Sequence, residues 1–231
     1  MRILLLSDLA GKVPVLPQDH VEGSDFVLLA GDITLGAKHL SSIQRGFADA
    51  GKLLSPPIHV FYIPGNHDFP VVAQEQPWVP ANFTLLHDRS IFISVPEFAR
   101  EIFIIGFGGA KLGLYNNFAF SEDDMYDALF RLFQEQAEER SRSNPFTILL
   151  VHDPPCNTML DITARHEHVG SSAVRQAIEA FQPDLAVAGH IHESPGIDKI
   201  GPTICVNAGE AKYGKHAVIV VNDDEIRVEL C

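Results

Sequence analysis

Six side chains able to ligate a divalent cation stand at or just past the ends of apolar runs: Asp8, Asp32, Asn66, His152, His190 and His192. Asp8 closes ILLLSD and Asp32 closes DFVLLAGD. Asn66 opens the triplet Asn66-His67-Asp68 after IHVFYIPG. His152 and Asp153 end FTILLVHD, and His190 and His192 end LAVAGHIH. Singly, each has an ordinary explanation. A strand-terminal aspartate forms turns or caps helices, a lone histidine is commonly a hydrogen-bonded core residue, and Asn-His-Asp after glycine can be a turn. Jointly they say more, because ligands of open α/β sheets gather outside the carboxyl ends of the strands. The mixture of carboxylate, carboxamide and imidazole suits Mn, Fe or Zn, and the absence of cysteine from it argues against a structural thiolate zinc site. Glycine precedes Asp32, Asn66 and His190, which lets backbone and ion approach closely.

The elements that must position these groups are legible as well. Apolar runs at 3–8, 25–32, 58–66, 91–95, 101–109, 146–153, 185–192, 203–210 and 216–222 read as strands buried on both faces. Three helical patterns lie between them. In 38–54, Leu40, Ile43, Phe47 and Leu54 share a face. Ser121 and Asp124 resemble a capping box ahead of Met125, Leu129, Leu132 and Phe133. Ser172 is expected to cap a helix that turns Val174, Ile178 and Phe181 inward and ends before Pro183. Early strands alternate with helices and late strands follow one another, which predicts an α/β sandwich of two sheets with helices outside. Segments 70–82 and 109–121 read as long surface loops that shape a pocket mouth. A single domain over 1–231 is expected.

Charge and composition bound the partners. With 17 Lys and Arg against 30 Asp and Glu, the net charge is −13. Such a surface repels polyanions, so nucleic acid and anionic membranes are disfavoured. Cys156, Cys205 and Cys231 are too few and too scattered for a disulfide framework. The apolar stretch Ile3–Leu6 is too short for a signal peptide, and no run is long enough to span a membrane. A soluble, cytoplasmic protein is expected.

The series Asp8, Gly31-Asp32, Gly65-Asn66-His67-Asp68, His152 and Gly189-His190-Ile191-His192 resembles the calcineurin-like metallophosphoesterases, above all the small single-domain prokaryotic type. That resemblance covers residues 1 to about 215. It implies a four-layer α-β-β-α sandwich of two mixed sheets flanked by helices. It also implies hydrolysis of a phosphomonoester or phosphodiester by metal-bound hydroxide at a dinuclear centre. On the family pattern Asp32 bridges two cations, Asp8 and His192 hold the first, and Asn66, His152 and His190 hold the second. His67 corresponds to the general acid, with Asp68 fixing its tautomer and raising its pKa. The implied cofactors are two divalent metal ions, manganese preferred, with Fe, Zn, Ni or Mg as alternatives; the implied partner is a small phosphoester substrate, and a homo-oligomer is compatible with it.

One residue departs from the family. Its first motif is Asp-x-His, and here it reads Asp8-Leu9-Ala10. A methyl cannot ligate, so the first cation is expected to be weakened, at least as much as the 10–100-fold that loss of an outer partner brings. The alternative is a non-catalytic scaffold with a degraded site, as in the retromer subunit of this fold; the intact GNHD and GHIH sequences count against it. A nuclease is disfavoured by the charge and by the lack of an additional DNA-gripping domain. His168 is a candidate substrate contact, beside Gly170-Ser171-Ser172, whose N–H groups at a helix start suit a phosphate oxygen. Asn207 is expected beneath the metals. His20, His39, His59, His87 and His216 fit no pattern in the sequence.

Overall fold

Both faces of each central strand are apolar, and that dictates layers on both sides of each sheet. The computed structural model describes residues 1–36, 38–55, 57–113, 116–222 and 225–231. In chain order the strands are β1 (Arg2–Leu6), β2 (Phe26–Ala30), β3 (His59–Ile63), β4 (Phe83–Leu85), β5 (Arg89–Ile93), β6 (Ile102–Phe107), β7 (Ala110–Lys111) and β8 (Ala119–Phe120). They continue with β9 (Phe146–Val151), β10 (Leu185–Ala188), β11 (Gly196–Ile200), β12 (Thr203–Asn207), β13 (Ala217–Val221) and β14 (Ile226–Leu230). The helices are α1 (Gln18–Glu22), α2 (Leu40–Leu53), α3 (Glu122–Glu135), α4 (Ala137–Ser143) and α5 (Ser172–Phe181).

Two six-stranded mixed sheets result, in the orders β14-β13-β1-β2-β3-β4 and β11-β12-β10-β9-β6-β5. Strands β1 to β4 are parallel, as are β6, β9, β10 and β12. The remaining strands of these two sheets, β13, β14, β11 and β5, run antiparallel to their inner neighbours. Alternate residues sort into layers. Ile3, Leu5, Leu28 and Ile63 of one sheet meet Ile104, Ile148, Leu150 and Val187 of the other. Leu4, Leu6, Leu29 and Tyr62 face outward under Ile43, Phe47 and Leu54 of the α2 segment. Phe103, Ile105, Leu149 and Ala186 face outward under Leu129 and Phe133 of α3 and Val174 and Ile178 of α5. Three apolar layers separate four layers of structure, the expected α-β-β-α sandwich. Among the described residues no helix is long and apolar enough to cross a membrane.

The details differ from expectation at the edges. Leu40 is 50% exposed, because the buried arc of α2 begins only at Ile43. The α5 cap is Ser171, whose Oγ accepts from the Val174 N–H; Ser172 is the first helical residue. Ser121 does cap α3, accepting from the Asp124 N–H at 3.0 Å. Segment 70–82 is not an open loop: a 3-10 turn at Pro70–Ala73 buries Val72, and Trp78 meets Phe47 edge-on at 5.3 Å. Segment 109–121 contains the β7–β8 pair, apart from residues 114 and 115, which lie outside the described residues.

Candidate metal centre

The parallel strands of both sheets deliver their carboxyl ends to one place. Strands β1, β2 and β3 lead to Asp8, Asp32 and Asn66, while β9 and β10 lead to His152 and to His190 with His192. One ligand atom each from Asp8, Asp32 and His152 lie within 4.8 Å of one another, and all three residues are buried. The chain turns sharply to present them: φ is 59° at Asp8, 51° at Asp32 and 65° at His190. Non-glycine residues in this left-handed region cost of order 1 kcal/mol each and cluster at functional sites. The turns are tied together, since the Asp8 N–H donates to Gly31 O at 3.0 Å and the Ala10 N–H to Asp32 O at 2.8 Å.

Glycine makes the crossing of these turns feasible. At Gly31, φ is +94°, and a Cβ there would lie 2.5 Å from His152 Nδ1 and 2.7 Å from the Gly65 Cα. A Cβ on Gly189 would collide with the Ser7 hydroxyl and come within 2.6 Å of Asp8 Oδ2.

The His152 side is closed and fully bonded. His152 Nδ1 donates to Ala30 O at 2.6 Å, which leaves Nε2 facing inward, 2.8 Å from Asn66 Oδ1 and 3.6 Å from Asp32 Oδ2. The His190 ring lies 5.0 Å from the His152 ring, centroid to centroid. Asn66 is oriented in turn: its Nδ2 donates to Asn116 Oδ1 at 2.8 Å, and Asn116 donates to Lys111 O.

The Asp8 side is more open. Asp8 Oδ2 accepts from Ser7 Oγ at 2.6 Å and from the His190 N–H at 3.1 Å, and Oδ1 meets His192 Nε2 at 2.8 Å. His192 Nδ1 lies 3.0 Å from Glu210 Oε1, and Lys212 pairs with the same carboxylate. The His192 side chain is 35% exposed. Ala10, at φ 50°, occupies the left-handed region without the polar side chain that helps Asn, Asp or His settle there.

Electrostatics show what the cluster lacks. Burial opposes ionisation of Asp8, but the His192 hydrogen bond and the nearby His152 hold its carboxyl down at about 2. Burial also disfavours charge on His152, yet Asp32 and Asp8 outweigh it and lift the imidazole to about 10. Burial and that neighbouring cation push His190 down to about 3. Buried carboxylates this close require a positive charge among them. A divalent cation on Asp8, Asp32 and His152 would take the place of the His152 proton, so the donor set fits one.

Asp68 departs from the expected geometry. Its carboxylate accepts from the N–H groups of Ile33, Thr34 and Gly65 and from the Thr34 hydroxyl, at 2.8–3.1 Å. Among the described residues no hydrogen bond joins it to the His67 ring. Burial and the adjacent Asp32 raise it to about 6. Asp68 therefore braces the turns after β2 and β3 instead of fixing the His67 tautomer. His67 is held through its backbone: its N–H donates to Asp32 Oδ1 at 2.8 Å and its carbonyl accepts from Asn117 Nδ2 at 3.0 Å, leaving the imidazole half-buried at the rim.

Comparison with known proteins agrees with this arrangement. The calcineurin-like phosphoesterase family profile matches residues 1–194. The chain belongs to that family. A relative from Methanocaldococcus jannaschii, the uncharacterized protein MJ1162, is 32% identical over 232 residues, 96% of each chain. Among solved structures, TT1561 of Thermus thermophilus superposes with a TM-score of 0.69 at 17% identity, covering 99% of this chain and 98% of that one. A dimetal phosphatase from Danio rerio gives 0.63 at 12% identity, covering 100% and 95%. At these identities the structural likeness establishes the fold, a metallo-dependent phosphatase sandwich.

Around this calcineurin-like core, several groups differ from the sequence expectation. The N–H groups at the start of α5 are already taken: Ser172 N and Ala173 N donate to Glu122, at 3.0 and 2.9 Å, Ser171 N donates to Pro154 O and Gly170 N to Asp161. No free N–H remains there for a phosphate oxygen. His168 is instead anchored by its Nδ1 on the buried Asp161 at 2.7 Å, with its side chain 42% exposed. Asn207 does act as a support, donating to Ile191 O between the two histidines of GHIH at 2.9 Å. Burial in an aromatic box of Phe107, Phe118 and Phe120 pushes His87 down to about 4. Sequence reasoning missed Glu210 and Asn116. Glu210 carried one local signal, its place after Gly209, and Asn116 carried none.

Proposed function

We propose that this family member is a divalent-metal-dependent phosphoesterase that hydrolyses a small phosphomonoester or phosphodiester. The observation that carries this reading is the convergence of Asp8, Asp32 and His152 within 4.8 Å, with Asn66, His190 and His192 bonded or packed around them. Its resemblance to a dimetal phosphatase adds weight. Asp32, within 4.8 Å of both Asp8 and His152, would serve as the shared carboxylate of a dinuclear centre. Asp8 and His192 would hold one cation, and Asn66, His152 and His190 the other. When bound, a pair of cations acidifies water and neutralises phosphoryl oxygens.

The chain's own groups do the rest. His67 stands at the rim and donates a proton to the leaving oxygen. Asp68 positions the His67 turn through its four hydrogen bonds. His168, anchored on Asp161, contacts the substrate. The mixed carboxylate, carboxamide and imidazole donors suit manganese, and the missing imidazole at Ala10 makes the Asp8 side harder, which favours Mn or Mg there over Fe or Zn. The −13 charge favours a small substrate over nucleic acid. We place the activity in the cytoplasm.

The test is Mn²⁺-dependent hydrolysis of p-nitrophenyl phosphate and bis-p-nitrophenyl phosphate, with His67→Ala and His190→Ala as controls. Turnover lost in both variants supports the reading. Absence of turnover with every divalent cation, even after Ala10→His, transfers the assignment to a non-catalytic scaffold.

A further inference from the structure

Outside the candidate centre, a second group of metal-capable side chains lies at the outer part of the first sheet: His20, His216 and Cys231. The β13–β14 register continues one residue beyond the strands. His216 N–H donates to Cys231 O at 3.2 Å and Cys231 N–H to His216 O at 2.9 Å, so the two stand directly opposite. Opposed residues of an antiparallel pair share a face. Helix α1 brings His20 onto that face, 2.8 Å from His216 Nε2 through its own Nδ1. One ligand atom from each residue lies within 4.8 Å of the other two.

The hydrogen-bond arithmetic of this pair is informative. His216 is 2% exposed, and its Nδ1 faces the Gly214 carbonyl at 2.7 Å. A carbonyl only accepts, so Nδ1 carries the hydrogen and Nε2 presents a lone pair to His20. On His20, Nε2 lies 3.8 Å from Asp19 Oδ2, beyond hydrogen-bond reach, so Nδ1 carries the hydrogen that it donates to His216 Nε2 at 2.8 Å. The two rings thus share one hydrogen across 2.8 Å. A cation in place of that hydrogen takes a lone pair from each ring and also engages the Cys231 sulfur, which lies within 4.8 Å of both.

We infer that His20, His216 and Cys231 form a second cation site, selective for a borderline-soft divalent ion of the zinc type. Two imidazoles and a thiolate are a zinc donor set, with the fourth tetrahedral position open to water. Bonds of about 2.0–2.3 Å put tetrahedral ligand atoms roughly 3.3–3.8 Å apart, so the imidazole pair opens by about half an ångström. The Gly214 carbonyl supplies the outer hydrogen bond that orients His216. Such an ion clips α1 to the β13–β14 end across a sequence separation of 196 residues between the two histidines. The site differs in kind from the candidate catalytic centre, which contains no sulfur.

That difference supplies the test. Co²⁺ is added to the full-length protein and the near-ultraviolet spectrum is read for thiolate-to-cobalt charge transfer, which the sulfur-free centre cannot produce. The expected result is a band at one equivalent that Zn²⁺ bleaches, that Cys156→Ser retains and that Cys231→Ser loses. His20→Ala is expected to weaken Co²⁺ at least about tenfold, and Zn²⁺ is expected to raise the Tm of the wild type but not of Cys231→Ser. Cys231 is exposed and Cys156 and His20 are only partly buried, so all three variants are expected to fold. No band in the wild type, or a band that survives Cys231→Ser, overturns the inference.

Discussion

On one side of the candidate centre, His152 is wholly buried and both its ring nitrogens have partners, Ala30 O and Asn66 Oδ1. On the other, His192 is 35% exposed and only a methyl group stands at Ala10. Both sides hang from the same strand ends and the same left-handed turns, and the fold around them is equally complete. The methyl at Ala10 leaves the turn after β1 bonded to the turn after β2, since the Ala10 N–H still donates to Asp32 O. On the proposed ligand set, its expected consequence is weaker cation binding on the Asp8 side.

Asp32 lies within 4.8 Å of both Asp8 and His152, so Asp32→Asn is expected to be the most damaging substitution: Mn²⁺-stimulated hydrolysis falls by more than about 100-fold. Retained activity would show that the two sides do not share this carboxylate. Next comes the asymmetry itself. His190→Ala is expected to reduce tight metal binding more than His192→Ala, as isothermal titration with Mn²⁺ will show; the reverse order would break the distinction between a closed and an open side. Glu210→Gln removes the charged partner of His192 and is expected to weaken only the looser cation, by about tenfold, the lower end of what an outer partner supplies. An equal effect on the tight cation would place Glu210 in support of both.

A proton balance sharpens the comparison further. The His152 pKa is lifted from its ordinary 6.5 to about 10 by Asp32 and Asp8 against the effect of burial. In chelated protein, its ion-pair contribution to stability is fully present below pH 6.5 and disappears as pH rises through about 10. Mn²⁺ must displace that proton, so binding at about pH 7 is expected to release protons and to tighten as pH rises. Calorimetry in two buffers of different ionisation enthalpy reads the release directly. Identical heats in both would contradict the protonated His152.

Much of this was legible in the sequence, for a physical reason. Central strands buried on both faces leave uninterrupted apolar runs, and the residues that end them, Asp8, Asp32, Asn66, His152, His190 and His192, stand out against that background. Edge strands β11 and β14 lack the signal because solvent takes one face, and β4 because it is only three residues long. Other features depend on tertiary placement that no local pattern encodes. Glu122 of α3 caps α5 across 50 residues and occupies the N–H groups that looked open to phosphate. Asp68 turns inward to Ile33 and Thr34 although it adjoins His67 in sequence. Glu210 meets His192 only because a 3-10 turn at Ala211–Tyr213 ties Ala211 N to Ser7 O and Lys212 N to Asp8 O.

Mn²⁺ stoichiometry in the wild type and in Ala10→His tests the consequence of that methyl group most directly. One tight cation and a second bound at least about tenfold more weakly are expected in the wild type, with two tight cations and faster phosphoester hydrolysis in Ala10→His. Two equally tight cations in both proteins, or a stoichiometry that Ala10→His leaves unchanged, would contradict it.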